Sequence, residues 1–217
     1  MEFITYFIDL FIHLDRHLNA VIQSFGGWTY VLVFIVIFCE TGLVVTPILP
    51  GDSLLFALGA FAALGSLRVE LLITVLIIAA IAGDTVNYAL GKFIGPRIFH
   101  EKGGTLFKRE YLEKTQKFYE KHGGKTIVLA RFIPIIRTFA PFVAGIGSMA
   151  YGRFISYNVA GGIFWVVIFV TGGYYFGAIP LVRNNFTLVI LAIILISILP
   201  GIIELIRQRR SDARRIC

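Results

Sequence analysis

The sequence predicts an all-α polytopic membrane protein, and three observations carry that expectation. Hydrophobic residues make up 57% of the 217-residue chain and charged residues only 15%; mean hydropathy is +0.82, well above soluble averages. Apolar runs long enough to cross a bilayer alternate with apolar runs broken by proline. Polar residues collect in one stretch, 92–125, and in the tail from 207.

The first element is amphipathic. Phe3, Phe7, Leu10, Phe11, Leu14, Leu18 and Val21 form a helical stripe opposed by Asp9, Asp15, Arg16, Asn19 and Gln23, which predicts an interfacial helix over 1–24. Its flanks are acidic and it offers no small-residue cleavage site, so it does not read as a signal peptide.

Residues 28–67 are too long for one span and break at Pro47-Ile48-Leu49-Pro50-Gly51-Asp52. The arm after the break is short of the roughly 20 residues that a crossing needs, so a re-entrant hairpin is expected. Non-helical backbone at membrane depth is tolerated only where protein covers it or it lines a water-filled cavity. That makes the break at Pro47, Pro50 and Gly51 a candidate site in itself. Residues 71–91 are long enough to span and carry Asp84, Asn87 and Tyr88 on one face. Ala79 and Gly83, four apart, would let another helix approach closely.

Residues 92–125 hold nine Lys or Arg against four Glu and predict a basic loop with helical content. The positive-inside rule places this loop and the basic tail 207–217 in the cytoplasm. The stretch carries no nucleic-acid motif, so the net charge of +7 is read as an orientation and lipid-headgroup signal rather than a nucleic-acid footprint. Residues 126–151 form a second broken apolar segment, interrupted at Pro134 and Pro141, with Arg131 and Arg137 embedded in it. It reads as a second re-entrant hairpin, and spans are expected over 154–179 and 185–206.

Each hairpin is followed by one span, and tracing sides from the cytoplasmic loop gives the two halves opposite orientation. Tyr88-Ala89-Leu90-Gly91 with Pro96 matches Tyr174-Tyr175-Phe176-Gly177 with Pro180. The expected arrangement within a single membrane domain, 1–217, is therefore an inverted repeat of the kind used by secondary transporters.

Glu40, Asp52, Asp84, Arg131 and Arg137 lie within or at the breaks of apolar segments. At about 2.5–3.5 kcal/mol each, five unpaired charges would cost on the order of 12–17 kcal/mol. They must be paired, hydrated or intermittently protonated. Asp52, after Pro-Gly and before an apolar helix, has an alternative role as a helix cap, and Asp84 could bond within its own polar stripe. The arginines could be structural partners of the acids. Two guanidinium forks flanking a helix break also suit phosphate.

The motifs Glu40-Thr-Gly-Leu-Val-Val-Thr-Pro47-Ile-Leu-Pro50-Gly51-Asp52, Gly83-Asp84-x-x-x-Tyr88-x-x-Gly91 and Arg131-Phe-Ile-Pro134-Ile-Ile-Arg137-Thr-Phe-Ala-Pro141-x-x-Ala144-Gly145 resemble the bacterial DedA family. The likeness covers nearly the whole chain. It implies an inner-membrane protein with paired re-entrant helices, related to eukaryotic lipid scramblases that carry the VTT domain. It also implies movement of lipids such as undecaprenyl phosphate or phosphatidylethanolamine, dependence on the proton motive force, and a required role for Glu40, Asp52, Arg131 and Arg137. Asp84 is added from its chemistry alone.

The leading expectation is a proton-coupled lipid flippase or scramblase, its partners being protons and lipids with anionic or phosphate-bearing headgroups. Proton-coupled transport of a small cation and a non-transporting assembly role are the alternatives, and self-association is left open. Enzyme chemistry is not expected: His13, His17, His100 and His122 lie in interfacial or loop segments, and no Gly-x-Ser-x-Gly occurs. Cys39 and Cys217 offer neither a disulfide framework nor a zinc spacing, and no cofactor or metal is expected.

Overall fold

The computed structural model describes residues 24–43, 51–98, 115–116, 119–147 and 149–184. The amphipathic stretch 1–24 (all but its last residue), Pro47 and Pro50, most of the basic loop, the span 185–206 and the tail lie outside the described residues. Among those described, every regular element is helical: α1 (Trp28–Gly42), α2 (Gly51–Ala63), α3 (Val69–Ile98), a 3-10 turn (Gly123–Lys125), α4 (Thr126–Ala130), α5 (Pro134–Ile146), α6 (Tyr151–Gly177) and α7 (Pro180–Asn184).

Length separates these helices into two kinds. α3 and α6, with 30 and 27 residues, run for about 45 and 40 Å at 1.5 Å per residue, more than the hydrocarbon thickness of about 30 Å. α1, α2 and α5, with 15, 13 and 13 residues, reach about 20 Å and stop short of it. Large apolar side chains stay exposed along α1, α3 and α6, among them Trp28, Ile35, Ile78, Phe93, Phe164 and Tyr175, as a helix facing lipid requires. The span expected at 71–91 starts two residues earlier and continues to Ile98. Lys92 therefore belongs to a helix, not to a loop.

The second break has a local cause. Ile133 precedes a proline, which disfavours helical geometry, and it is extended at φ −119°, ψ 105°. α4 has ended at Ala130, three residues before it, and Pro134 opens α5 in a position where its missing N–H costs nothing. Pro141 lies inside α5 and does not interrupt it, contrary to the sequence expectation. The ring removes one backbone hydrogen bond, and the packed helix continues past it.

The chain divides into two compact units. One contains α2 and α6 from Phe169 onward; the other contains α1, α3 from Glu70, α4, α5, and α6 as far as Ile168. In the second unit Tyr88, Ile127, Ala130, Ala140, Ala144 and Phe154 form a core cluster. Tyr88 stacks on Phe154 with ring centroids 4.4 Å apart, and its hydroxyl donates to the Met149 carbonyl.

Each unit contains a backbone-to-backbone helix contact in which a glycine on one helix faces a carbonyl three residues before a glycine on the other. In the second unit a Cβ added to Gly145 would fall on the Tyr88 carbonyl and 2.7 Å from Lys92 N, while one added to Gly91 would meet the Phe142 backbone. In the first unit a Cβ on Gly59 would fall on the Val170 carbonyl and 3.0 Å from Tyr174 N, and one on Gly173 would meet the Phe56 backbone. The spacings agree residue for residue: Phe142 and Phe56 each precede their glycine by three, and Gly91 and Gly173 each follow the contacted carbonyl by three. This packing matches Gly91 to Gly173. The Tyr-x-x-Gly likeness in the sequence matched Gly91 to Gly177, one helical turn away.

Candidate functional site

Four of the five singled-out charges meet in one unit. Gly83 sets the approach of α3 to α1, since a Cβ there would land on Thr41 Oγ1 and 2.8 Å from the Phe38 carbonyl. This is the close approach that the sequence suggested for Gly83. It brings Asp84, on the next residue of α3, to the end of α1 that carries Glu40.

Arg137, in the first turn of α5, forms an ion pair with Glu40. Arg131, in the turn between α4 and α5, places Nη2 2.5 Å from Asp84 Oδ2 and donates from the same nitrogen to Asn158 Oδ1 at 2.6 Å. Glu40, Asp84 and Arg131 are buried, and Arg137 is nearly so. These four residues with Thr41, Thr138 and Trp165 line one small cavity. Trp165 is a shared wall: the Arg131 and Arg137 guanidinium carbons lie 5.7 and 5.1 Å from its ring, within cation–π range.

Asn87 braces the arrangement. Its Nδ2 donates to the Thr41 carbonyl at 3.1 Å and to the Thr138 carbonyl at 2.9 Å. Those are the residues next after Glu40 and Arg137. At the edge of the unit, the Tyr119 hydroxyl donates to the Ala140 carbonyl at 2.9 Å. Burial, and secondarily the charge of Asp84, push that phenol above its ordinary range, so it stays neutral.

Three buried polar atoms have no hydrogen-bond partner among the described residues: Glu40 Oε2, Asn87 Oδ1 and Arg131 Nε. Buried polar atoms are nearly always satisfied. Here one carboxylate oxygen and one guanidinium donor are left over on residues that line the cavity, and Asn87 Oδ1 on the residue that braces it.

Asp52 belongs to the other unit, half-buried in the first turn of α2, where the helix dipole favours a carboxylate. Gly51 opens that helix. The sequence reading missed the face of α6 that holds Arg131. Asn158, Gly161, Gly162 and Trp165 recur at helical spacing. Asn158 is fully buried and anchors itself to the Ile81 carbonyl at 3.1 Å. Gly161 and Gly162 leave a slot: a Cβ on either would come within 3.3 and 3.5 Å of Arg131 Nε and Nη2. The legible signal was a polar residue and a tryptophan seven apart with two glycines between them.

What such a site can do follows from its charges. Two guanidinium groups beside one aromatic wall can take a doubly charged oxyanion, and two carboxylates can hold them in its absence. The VTT domain family matches residues 49–175 of the chain. Over 216 residues, 99% of each chain, the protein is 53% identical to Protein DedA of Escherichia coli (strain K12). An uncharacterised membrane protein of Mycobacterium leprae (strain TN) is 39% identical over 180 residues, 83% of this chain and 81% of the other. Inner membrane protein YqjA of Escherichia coli (strain K12) is 32% identical over 157 residues, 72% and 71% of the two chains. No solved structure matches. The protein is a membrane protein belonging to the VTT-domain, or DedA, family.

Proposed function

We propose that the protein is a proton-motive-force-dependent lipid flippase or scramblase of the bacterial inner membrane. It carries a lipid of the undecaprenyl phosphate or phosphatidylethanolamine class between leaflets by its phosphate. The observation that carries this reading is the pair of buried ion pairs, Glu40–Arg137 and Asp84–Arg131, around one cavity. A buried ion pair is a poor staple, because well-packed apolar residues of similar volume hold a fold at least as well. Charges retained at that cost suit a site that exchanges partners. The lipid phosphate takes the arginines when the acids are protonated, and the ionised acids take them back when the phosphate leaves. Asp52 serves as a further acid on the proton route, as the family resemblance implies. No catalytic chemistry enters this cycle.

The two glycine-mediated helix contacts support an inverted repeat. In it the α1–α2 and α4–α5 hairpins are re-entrant from opposite sides, and α3 and α6 span. Such repeats, meeting at broken helices near the midplane, suit alternating access.

The test is reconstitution in liposomes with headgroup-labelled lipids under a series of imposed pH gradients. Lipid movement should rise with the gradient in wild type. Glu40→Gln, fixed in the neutral form, should lose that response while still inserting; Asp52→Asn should behave likewise. Rates indifferent to the gradient would leave passive scrambling. Cation flux without lipid movement would favour cation transport, and no flux of either kind would favour an assembly role.

A further inference from the structure

The charges lining the cavity sum to zero: Glu40 and Asp84 against Arg131 and Arg137. Each guanidinium has its own carboxylate, delivered from a different helix, α1 for Arg137 and α3 for Arg131. The two pairs share one wall and one cavity. Both arginines lie over the Trp165 ring, and Asn87 fixes the backbone beside Glu40 and Arg137 from the same helix that carries Asp84. Each acid is one half of a buried ion pair at the same cavity.

We infer that Asp84 is a second proton-bearing residue, equivalent to Glu40, and that the site exchanges one doubly charged phosphate monoester for about two protons, returning its buried charge to zero each time. This rests on the proposed function and sets its proton count and headgroup charge.

The physical argument is the cost of uncompensated charge. A phosphate that engages both guanidinium groups displaces both carboxylates, and an ionised carboxylate left buried beside a dianion has no cation to face. Protonation removes that charge. Glu40 Oε2, buried and without a partner among the described residues, is a place for one proton. At the other pair, Arg131 Nη2 keeps the neutral Asn158 oxygen as an acceptor when Asp84 lets go. Arg131 Nε, the unpartnered donor, gives the phosphate a bond that neither carboxylate uses. Among the described residues, Asp84 faces Arg131 from the α4–α5 turn and Tyr119 before the 3-10 turn, and Glu40 faces Arg137 on α5. Tyr119 stays neutral, so the count falls on the two acids.

The experiment is calorimetry on the purified full-length protein in detergent, in two buffers of different ionisation enthalpy. The probes are farnesyl phosphate and its methyl diester. At about pH 8 the monoester is a dianion and the diester a monoanion. Wild type should take up about two protons with the monoester and about one with the diester, and Asp84→Asn should lower each count by about one. A count of one for both esters in wild type, or an unchanged count in Asp84→Asn, overturns the inference and leaves the anion site standing. The wild-type comparison decides even if Asp84→Asn does not fold. Failure of wild type to bind either ester overturns the anion site and this inference together.

Discussion

The Asn87 carboxamide donates to the Thr138 carbonyl at 2.9 Å, one residue beyond Arg137, and to the Thr41 carbonyl at 3.1 Å, one residue beyond Glu40. One neutral side chain therefore sets the register between the two halves of an ion pair that it does not touch. Asn87→Leu leaves two buried carbonyls without that donor, and should cost about 1–3 kcal/mol for each that finds no other partner. Thermal unfolding in detergent measures the loss. Lipid movement should fall with it although Glu40 and Arg137 are unchanged; a variant with wild-type stability and transport would rule out the clasp.

The paired glycine contacts give a matched prediction. Gly145→Ala and Gly59→Ala each place a methyl on a carbonyl oxygen of the facing helix. Each should destabilise by about 1–3 kcal/mol, and by similar amounts, because the two contacts have the same geometry. Gly152→Ala meets nothing within 4 Å, and is the neutral or slightly stabilising control. Strongly unequal losses at 145 and 59 would separate the two contacts and remove this support for a structural repeat.

Much of this was legible because charge inside an apolar run is expensive. Glu40, Asp84, Arg131 and Arg137 stood out for that reason, and the structure brings them together. Which acid faces which arginine was not legible, since pairing across the chain depends on where Gly83 lets α3 approach α1. Asn158 and Trp165 gave little signal, an amide and an indole being ordinary in a spanning helix. The Tyr-x-x-Gly likeness set Gly91 beside Gly177, which packs against Ala60, whereas the contact geometry shared with Gly145 and Gly59 sets Gly91 beside Gly173, one turn earlier. Pro141 misled for a related reason: losing one hydrogen bond does not end a helix that its neighbours pack against.

The orientation prediction uses single cysteines in a chain with Cys39 and Cys217 replaced by serine. Positions 102, 114 and 121 should be shielded from an impermeant thiol reagent in intact cells, and positions 68 and 183 should react, because the basic loop and tail hold most of the positive charge. Labelling at 114 in intact cells would overturn both the cytoplasmic loop and the proposed inverted orientation of the two hairpins.

The arginines give the sharpest test of a phosphate site. Arg131 serves Asp84 and Asn158 from one nitrogen, lies over Trp165, and runs along the slot left by Gly161 and Gly162. Lysine brings the charge, but it has no planar fork and no flat face for the indole. Arg131→Ala and Arg137→Ala should abolish lipid movement while the protein still inserts, since the acids left behind can protonate. Arg→Lys should rescue poorly at both positions and worse at 131, where the slot fits a guanidinium side chain. Lipid movement is measured in proteoliposomes at matched protein content. Full activity of both lysine variants would mean that the site needs positive charge and not a bidentate fork, and the cargo would then be recognised by something other than the geometry of its phosphate.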